Sequence, residues 1–109
     1  MEVRTAASPR DVKHYTTDRL REEFLIQDLF QADKINLVYS HIDRIITGAA
    51  VPVSGKLELT AGDELRAEYF LQRREMGVIN IGGDGIITVD GRVYEVNARE
   101  GMYIGRGSK

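Results

Sequence analysis

A chain of 109 residues with 17 acidic and 15 basic side chains carries a net charge of −2. That near-balance excludes a binder of phosphate backbones, which needs a basic face, so no nucleic-acid partner is expected. The absence of cysteine excludes a disulfide framework and thiolate chemistry. The apolar fraction of 42% suits one folded domain or part of one, and no apolar run approaches the ~18 residues of a membrane span.

Residues 1–16 are polar with weak periodicity and read as a loosely ordered arm. They lack the apolar stretch of a signal peptide, so the expected location is the cytoplasm, with no membrane partner. Thr17 or Asp18 is expected to cap one short helix, with Leu20 and Phe24, four apart, on one face. From Asn36 onward the period becomes two: Ile35, Leu37, Tyr39 and His41 alternate with Asn36, Val38, Ser40 and Ile42. This is a strand region with a bend near Asp43. Asp43-Arg44 fits a buried ion pair or a turn between strands, and the turn is the simpler reading. Pro52 cannot donate to a ladder and belongs at a strand start or an edge.

Six short runs follow: KLELT, AEYFLQRR, MGVINI, GIITVD, RVYEV and GMYI, separated by AGDE, GGDG, DG and NAREG. Short strands with Gly and Asp turns predict an antiparallel sandwich or barrel. Asp90-Gly91 is a hairpin signal, because a type I′ turn needs positive φ at both central residues. The glycines of GVINIGGDGIITVDGRVYEV also raise a phosphate-cradling loop. That reading fails: after Gly83-Asp84-Gly85 the dinucleotide fingerprint requires glycine at position 88, which is Thr88, and GIITV is a strand pattern rather than a helix. No Gly-Lys-Ser or Gly-Lys-Thr triplet supplies a P-loop.

The spacing Gly62, Glu75, Gly82 resembles the first motif of the cupin superfamily, in which a glycine, His-x-His, a glutamate and a second glycine stand at these intervals. The two histidine positions are Glu68 and Phe70 here. A metal held in that motif needs the imidazole pair as well as the glutamate. In the second cupin motif, Arg99-Glu100 and Gly105-Arg106-Gly107 replace Gly-Asp and Pro-x-Gly, and its histidine would fall at position 110. The resemblance therefore implies a mainly β, cupin-like antiparallel jelly roll or β-sandwich. It would be incomplete at its C-terminal end and carry one short N-terminal helix.

Taken together, LREEFL, VYSHIDRIITG, YFLQRREMGVINIGGDGIITVDGRVYEV and MYIGRG resemble the start of the 5-keto-4-deoxyuronate isomerases, or 4-deoxy-L-threo-5-hexosulose-uronate ketol-isomerases. The resemblance runs from about Leu20 to Lys109. It implies a bacterial aldose–ketose isomerase of pectin and uronate breakdown, with two cupin-like halves and zinc bound by C-terminal residues. On that reading residues 17–109 are the N-terminal cupin-like domain after a polar arm at 1–16. The fragment alone is expected to be inactive and to self-associate, meeting sugar acid only in the full-length enzyme. The alternative is a small stand-alone cupin acting as a carbohydrate-binding or oligomerisation module.

No residue is assigned as catalytic, cofactor-binding or metal-ligating. His41 is read as a hydrogen-bonded structural histidine, and His14 lies in the arm. Glu75 is expected to pair with Arg73 or Arg74, although these arginines also suit a carboxylated sugar. Tyr69, Phe70, Tyr94 and Tyr103 are read as core or interface in preference to sugar-stacking groups, with Phe70 filling the interior where a ligand would stand.

Overall fold

The computed structural model describes residues 1–109, which form two compact units, Met1–Glu58 and Leu59–Lys109. The chain is mainly β, with seven strands and two α-helices, where one helix is expected. No sheet closes on itself into a barrel.

In the first unit the strand order is β1-β2-β3. β1 (Glu2–Arg4) runs parallel to β2 (Ile35–Ser40), which pairs antiparallel with β3 (Ile45–Ala50). α1 (Pro9–Val12) has the proline at its start, where a missing N–H costs nothing, and the Ser8 hydroxyl accepts from the Arg10 amide. α2 (Thr17–Phe24) is capped by Thr16, one residue before the expected caps. Its Oγ1 accepts from the Arg19 amide at 3.3 Å, satisfying one orphan donor of the first turn.

The expected loose arm at residues 1–16 is corrected by β1 and α1, and the physical reason is Arg4. Its guanidinium donates to the Leu25 carbonyl at 2.6 Å and to Glu2 at 2.7 Å. The Arg4 carbonyl accepts from the His41 amide at 2.9 Å. A cation at a helix C-terminus meets its unpaired carbonyls and the negative end of its dipole. The Leu25 partner lies 21 residues along the chain, beyond the reach of local periodicity.

β2 and β3 form a hairpin in register Ser40↔Ile45, and Asp43 and Arg44 take φ of +56° and +53° in its loop. The turn reading of Asp43-Arg44 therefore holds. Gly48 is tight against β2: a Cβ there would stand 2.5 Å from the Asn36 carbonyl oxygen. Pro52 lies just beyond β3, and the segment that follows it is fastened by Asp33. One carboxylate oxygen of Asp33 accepts from the Val53 and Ser54 amides, both at 2.8 Å, and the other from the Ser54 hydroxyl at 2.6 Å.

The second unit holds two two-stranded antiparallel sheets. β4 (Met76–Ile79) pairs with β7 (Gly101–Ile104), and β5 (Gly85–Val89) pairs with β6 (Arg92–Val96). Asp90 and Gly91, at φ +51° and +75°, make the expected hairpin turn. The unit's buried apolar residues are Ala61, Phe70, Leu71, Val96 and Ile104.

Two expected strands do not form. Residues 56–60 half-bury Leu57 and Leu59 in alternation but have no ladder partner. Residues 67–74 run through turns, because the neighbours Phe70 and Leu71 are both buried, which a strand's alternation forbids. Arg66, in the left-handed region at φ +46°, closes a short 3₁₀ turn over Asp63–Leu65 and breaks any extended path into this segment.

Candidate functional site

The motif singled out by spacing lies wholly in the second unit. Gly62, at φ +65°, opens an exposed concavity of about 670 Å³ lined by Gly62, Asp63, Arg66, Glu68, Gln72 and Arg73. The lining balances two carboxylates against two guanidiniums. Arg73 is already engaged, donating to the Arg66 carbonyl. Gln72 likewise accepts from the Glu68 amide at 3.0 Å.

The two positions where a histidine pair would stand diverge. Glu68 is exposed, whereas Phe70 is 7% exposed in the core. Glu75 is exposed, and its carboxylate accepts from the Tyr103 hydroxyl at 2.7 Å. Its hydroxyl partner is thus Tyr103, a residue the expected pairing with Arg73 or Arg74 does not include. The carboxylate holds the phenol in its protonated form, so Tyr103 is pushed above the ordinary 10.0, with desolvation and the carboxylate's charge adding to the effect. This donor–acceptor pair is open to solvent, with Tyr103 67% exposed.

His41 is exposed, and its ring meets that of Tyr39 edge-on, with centroids 4.9 Å apart, in place of the expected side-chain hydrogen bond. His14 and His41 belong to the first unit and Glu75 to the second. Nowhere do three His, Cys, Asp or Glu side chains gather in a way that could hold a metal ion. The residues present therefore do not fit the zinc site that the resemblance implies for the full-length enzyme.

The remaining aromatic candidates divide. Phe70 is core. The Tyr69 hydroxyl reaches the Gly107 carbonyl at 3.3 Å. Arg92 stands over the Tyr94 ring, and Tyr103 is 67% exposed.

The glycine loop is organised by a residue that sequence reasoning passed over. Asn80 Oδ1 accepts from the Gly82 amide at 3.0 Å, while Nδ2 donates to the Gly83 carbonyl at 2.8 Å and the Val96 carbonyl at 2.7 Å. The Asn80 backbone also pairs with Arg99 and Glu100. Asn followed two residues later by Gly is an Asx-turn signal, and it stands in the sequence as Asn80-Ile81-Gly82. Gly82, Gly83 and Gly85 all keep negative φ. They connect β4 to β5, strands of different sheets, so GGDG is a crossing between sheets and not a hairpin. β5 and not a helix follows, so no helix N-terminus stands there to hold a phosphate.

No helix in the chain is long and apolar enough to cross a membrane. No protein-family profile matches the chain. Curated relatives do. Over 109 residues it is 77% identical to the 4-deoxy-L-threo-5-hexosulose-uronate ketol-isomerase of Lachnoclostridium phytofermentans, covering all of this chain and 40% of that protein. It is 60% identical to the protein of the same name from Lachnospira eligens, covering 39% of it. It is 52% identical to that of Halalkalibacterium halodurans, covering 40%. Along its whole length the chain is thus similar to 4-deoxy-L-threo-5-hexosulose-uronate ketol-isomerases, and it spans about 40% of the length of the relatives it matches.

Proposed function

We propose that the chain is the N-terminal part of a bacterial ketol-isomerase that interconverts 5-dehydro-4-deoxy-D-glucuronate and 3-deoxy-D-glycero-2,5-hexodiulosonate in uronate breakdown. The observation that carries this reading is the match of all 109 residues, at 77% identity, to a protein of that name. The strands of both units are read as parts of a cupin-like jelly roll that the rest of the longer chain completes. The working enzyme is read as a cytoplasmic homo-oligomer.

On this reading the chain stands away from the reacting atoms. Aldose–ketose isomerisation moves a proton between adjacent carbons, so it needs a base at the carbon acid and a group that holds the enediolate oxygens. Here Glu75, the carboxylate at the motif's ligand position, accepts from Tyr103 on an open face. The reading assigns zinc and its ligands to the remainder of the longer chain and routes no step through this one.

The test joins this chain to the remainder of the Lachnoclostridium phytofermentans relative, replacing the matching 109 residues. The joined protein is expected to isomerise the uronate and to lose activity on chelation, and the 109-residue chain alone is expected to be inactive. Turnover by the chain alone, or a folded joined protein without activity, would overturn the reading. The unpaired edges of β1 and β3 are open to strand pairing, so the isolated chain is expected to sediment at least as a dimer.

A further inference from the structure

The chain exposes more surface than its mass allows for a self-sufficient fold. Accessible area scales as about 6.3 M^0.73 Å², so two separate folded bodies sharing 12.3 kDa should expose roughly 7,300 Å². The chain exposes 8450 Å². The excess of about 1,100 Å² is larger than the ~800 Å² that one partner gives to a standard interface. The interior is correspondingly thin, with no large side chain below 2% exposure.

The bare area has a definable focus on the sheet of β4 and β7. Met76, Val78, Met102 and Ile104 turn inward, while Gly77, Ile79, Gly101 and Tyr103 turn outward. Gly77 faces Tyr103 and Ile79 faces Gly101, so Ile79 and Tyr103 are diagonal neighbours on one face. They are 77% and 67% exposed.

Gly77 is the informative member. A glycine inside a strand costs roughly 0.5–1 kcal/mol relative to alanine, so its presence needs a reason. Its φ is not positive, and an added Cβ would meet nothing within 4 Å. Gly101 differs, since a Cβ there would press on the Val78 carbonyl at 3.3 Å. Nothing inside the chain requires Gly77. A strand glycine often marks a bulge, a tight bend or the close approach of a ligand or another backbone, and the β4–β7 register runs through Gly77 without a bulge.

We propose that this outward face of β4 and β7, centred on Gly77, Ile79 and Tyr103, is the docking surface for the remainder of the longer chain. The occupant follows from length: the matched relatives carry about 60% of their residues beyond the span of this chain. The proposal rests on the reading that this chain is part of such an enzyme.

The chain has no cysteine, so Ile79→Cys provides a single reporter. Its rate of thiol labelling, located by peptide mass, is compared in the isolated chain and in the joined protein. Labelling should be at least about tenfold slower in the joined protein, which corresponds to about 1.4 kcal/mol of docking. Adding Gly77→Val should leave the isolated chain's melting temperature unchanged or raised and restore fast labelling in the joined protein. Equal labelling rates in both proteins would overturn the proposal. So would protection in the isolated chain that rises with concentration, because a second copy would then cover the face. Where the joined protein does not fold, the same labelling at the aligned position of the relative itself decides. Isomerase activity is read separately: an active joined protein whose thiol at position 79 stays unprotected sinks the docking surface alone, and a protected but inactive one sinks the functional reading alone.

Discussion

Removing the side chain of Asn80 tests whether the second unit is held by its loop network. Asn80→Ala deletes one acceptor and two donors. Gly82 and Gly83 are exposed, so water replaces the asparagine there at small cost. Val96 is 4% exposed, and its carbonyl loses a partner where water does not easily follow. A net hydrogen bond contributes about 0.5–1.5 kcal/mol, and a buried group left unpaired costs about 1–3 kcal/mol. The sum is about 2 kcal/mol, or a melting-temperature loss of roughly 8–16 °C for a unit of this size. Circular dichroism measures the melting, and amide exchange locates the loss. The amides of Arg99 and Glu100, which pair with the Asn80 carbonyl and with Asn97, should lose protection first. A variant within about 0.5 kcal/mol of the parent, with those amides still protected, would refute the network as a structural organiser.

Three further outcomes are expected. Asp33 is held below the ordinary 3.8 by the Ser54 hydroxyl, then by the Ser54 and Val53 amides. A depressed folded-state pKa means that its contribution is present above the unfolded value and is lost as pH falls through the folded one. An NMR titration should therefore release the Val53 and Ser54 amides below pH 3.8, and Asp33→Ala should release them at every pH. Tyr103 is raised above 10.0, so its contribution is present below that value and is lost as pH rises through the folded one. Glu75→Gln should bring the phenol's spectrophotometric midpoint back down, and an unmoved midpoint would contradict the assigned cause. Gly48→Ala places a methyl 2.5 Å from the Asn36 carbonyl oxygen and should cost about 1–3 kcal/mol in denaturant unfolding.

What the sequence makes legible is local. Asp90-Gly91 announces its turn because both residues must take positive φ, and they do. The period of two finds β4, β5 and β7 because each has one covered and one open face over at least part of its length, whereas β2 is covered on both faces and β6 is exposed up to Val96. The failures have a common cause, which is a partner distant in the chain. Residues 56–60 have the alternation of a strand and lack a neighbour to ladder with. β1 looks like an unstructured arm until β2 and the end of α2 are brought to Arg4. The same holds for Glu75, whose hydroxyl partner Tyr103 is 28 residues away while two arginines stand beside it in sequence. Asn80 is a different case: its Asx signal is local and readable, but the glycines beside it draw the weight.

The cupin-like spacing carries a last consequence, because spacing fixes positions along a chain and not directions in space. A His-x-His pair chelates one ion only where both side chains leave the same face, as alternate residues of a strand do. Residues 67–74 are not a strand, Glu68 is exposed, and Phe70 is buried, only 7% exposed. Restoring both histidines as Glu68→His with Phe70→His should therefore not create a zinc site. It should instead remove an aromatic ring from the core, a loss of the order of 3 kcal/mol before the imidazole is counted. The carboxylate at position 75 would still need to leave Tyr103. Calorimetric titration of the double variant with zinc, beside circular dichroism, separates the outcomes. A folded double variant that binds one zinc more tightly than about 1 μM, near −8 kcal/mol, would show that the segment can re-form as a strand and that the observed divergence of positions 68 and 70 is not a barrier. A destabilised variant without that affinity shows that the core position of Phe70, and not the missing imidazoles alone, keeps a metal from this unit.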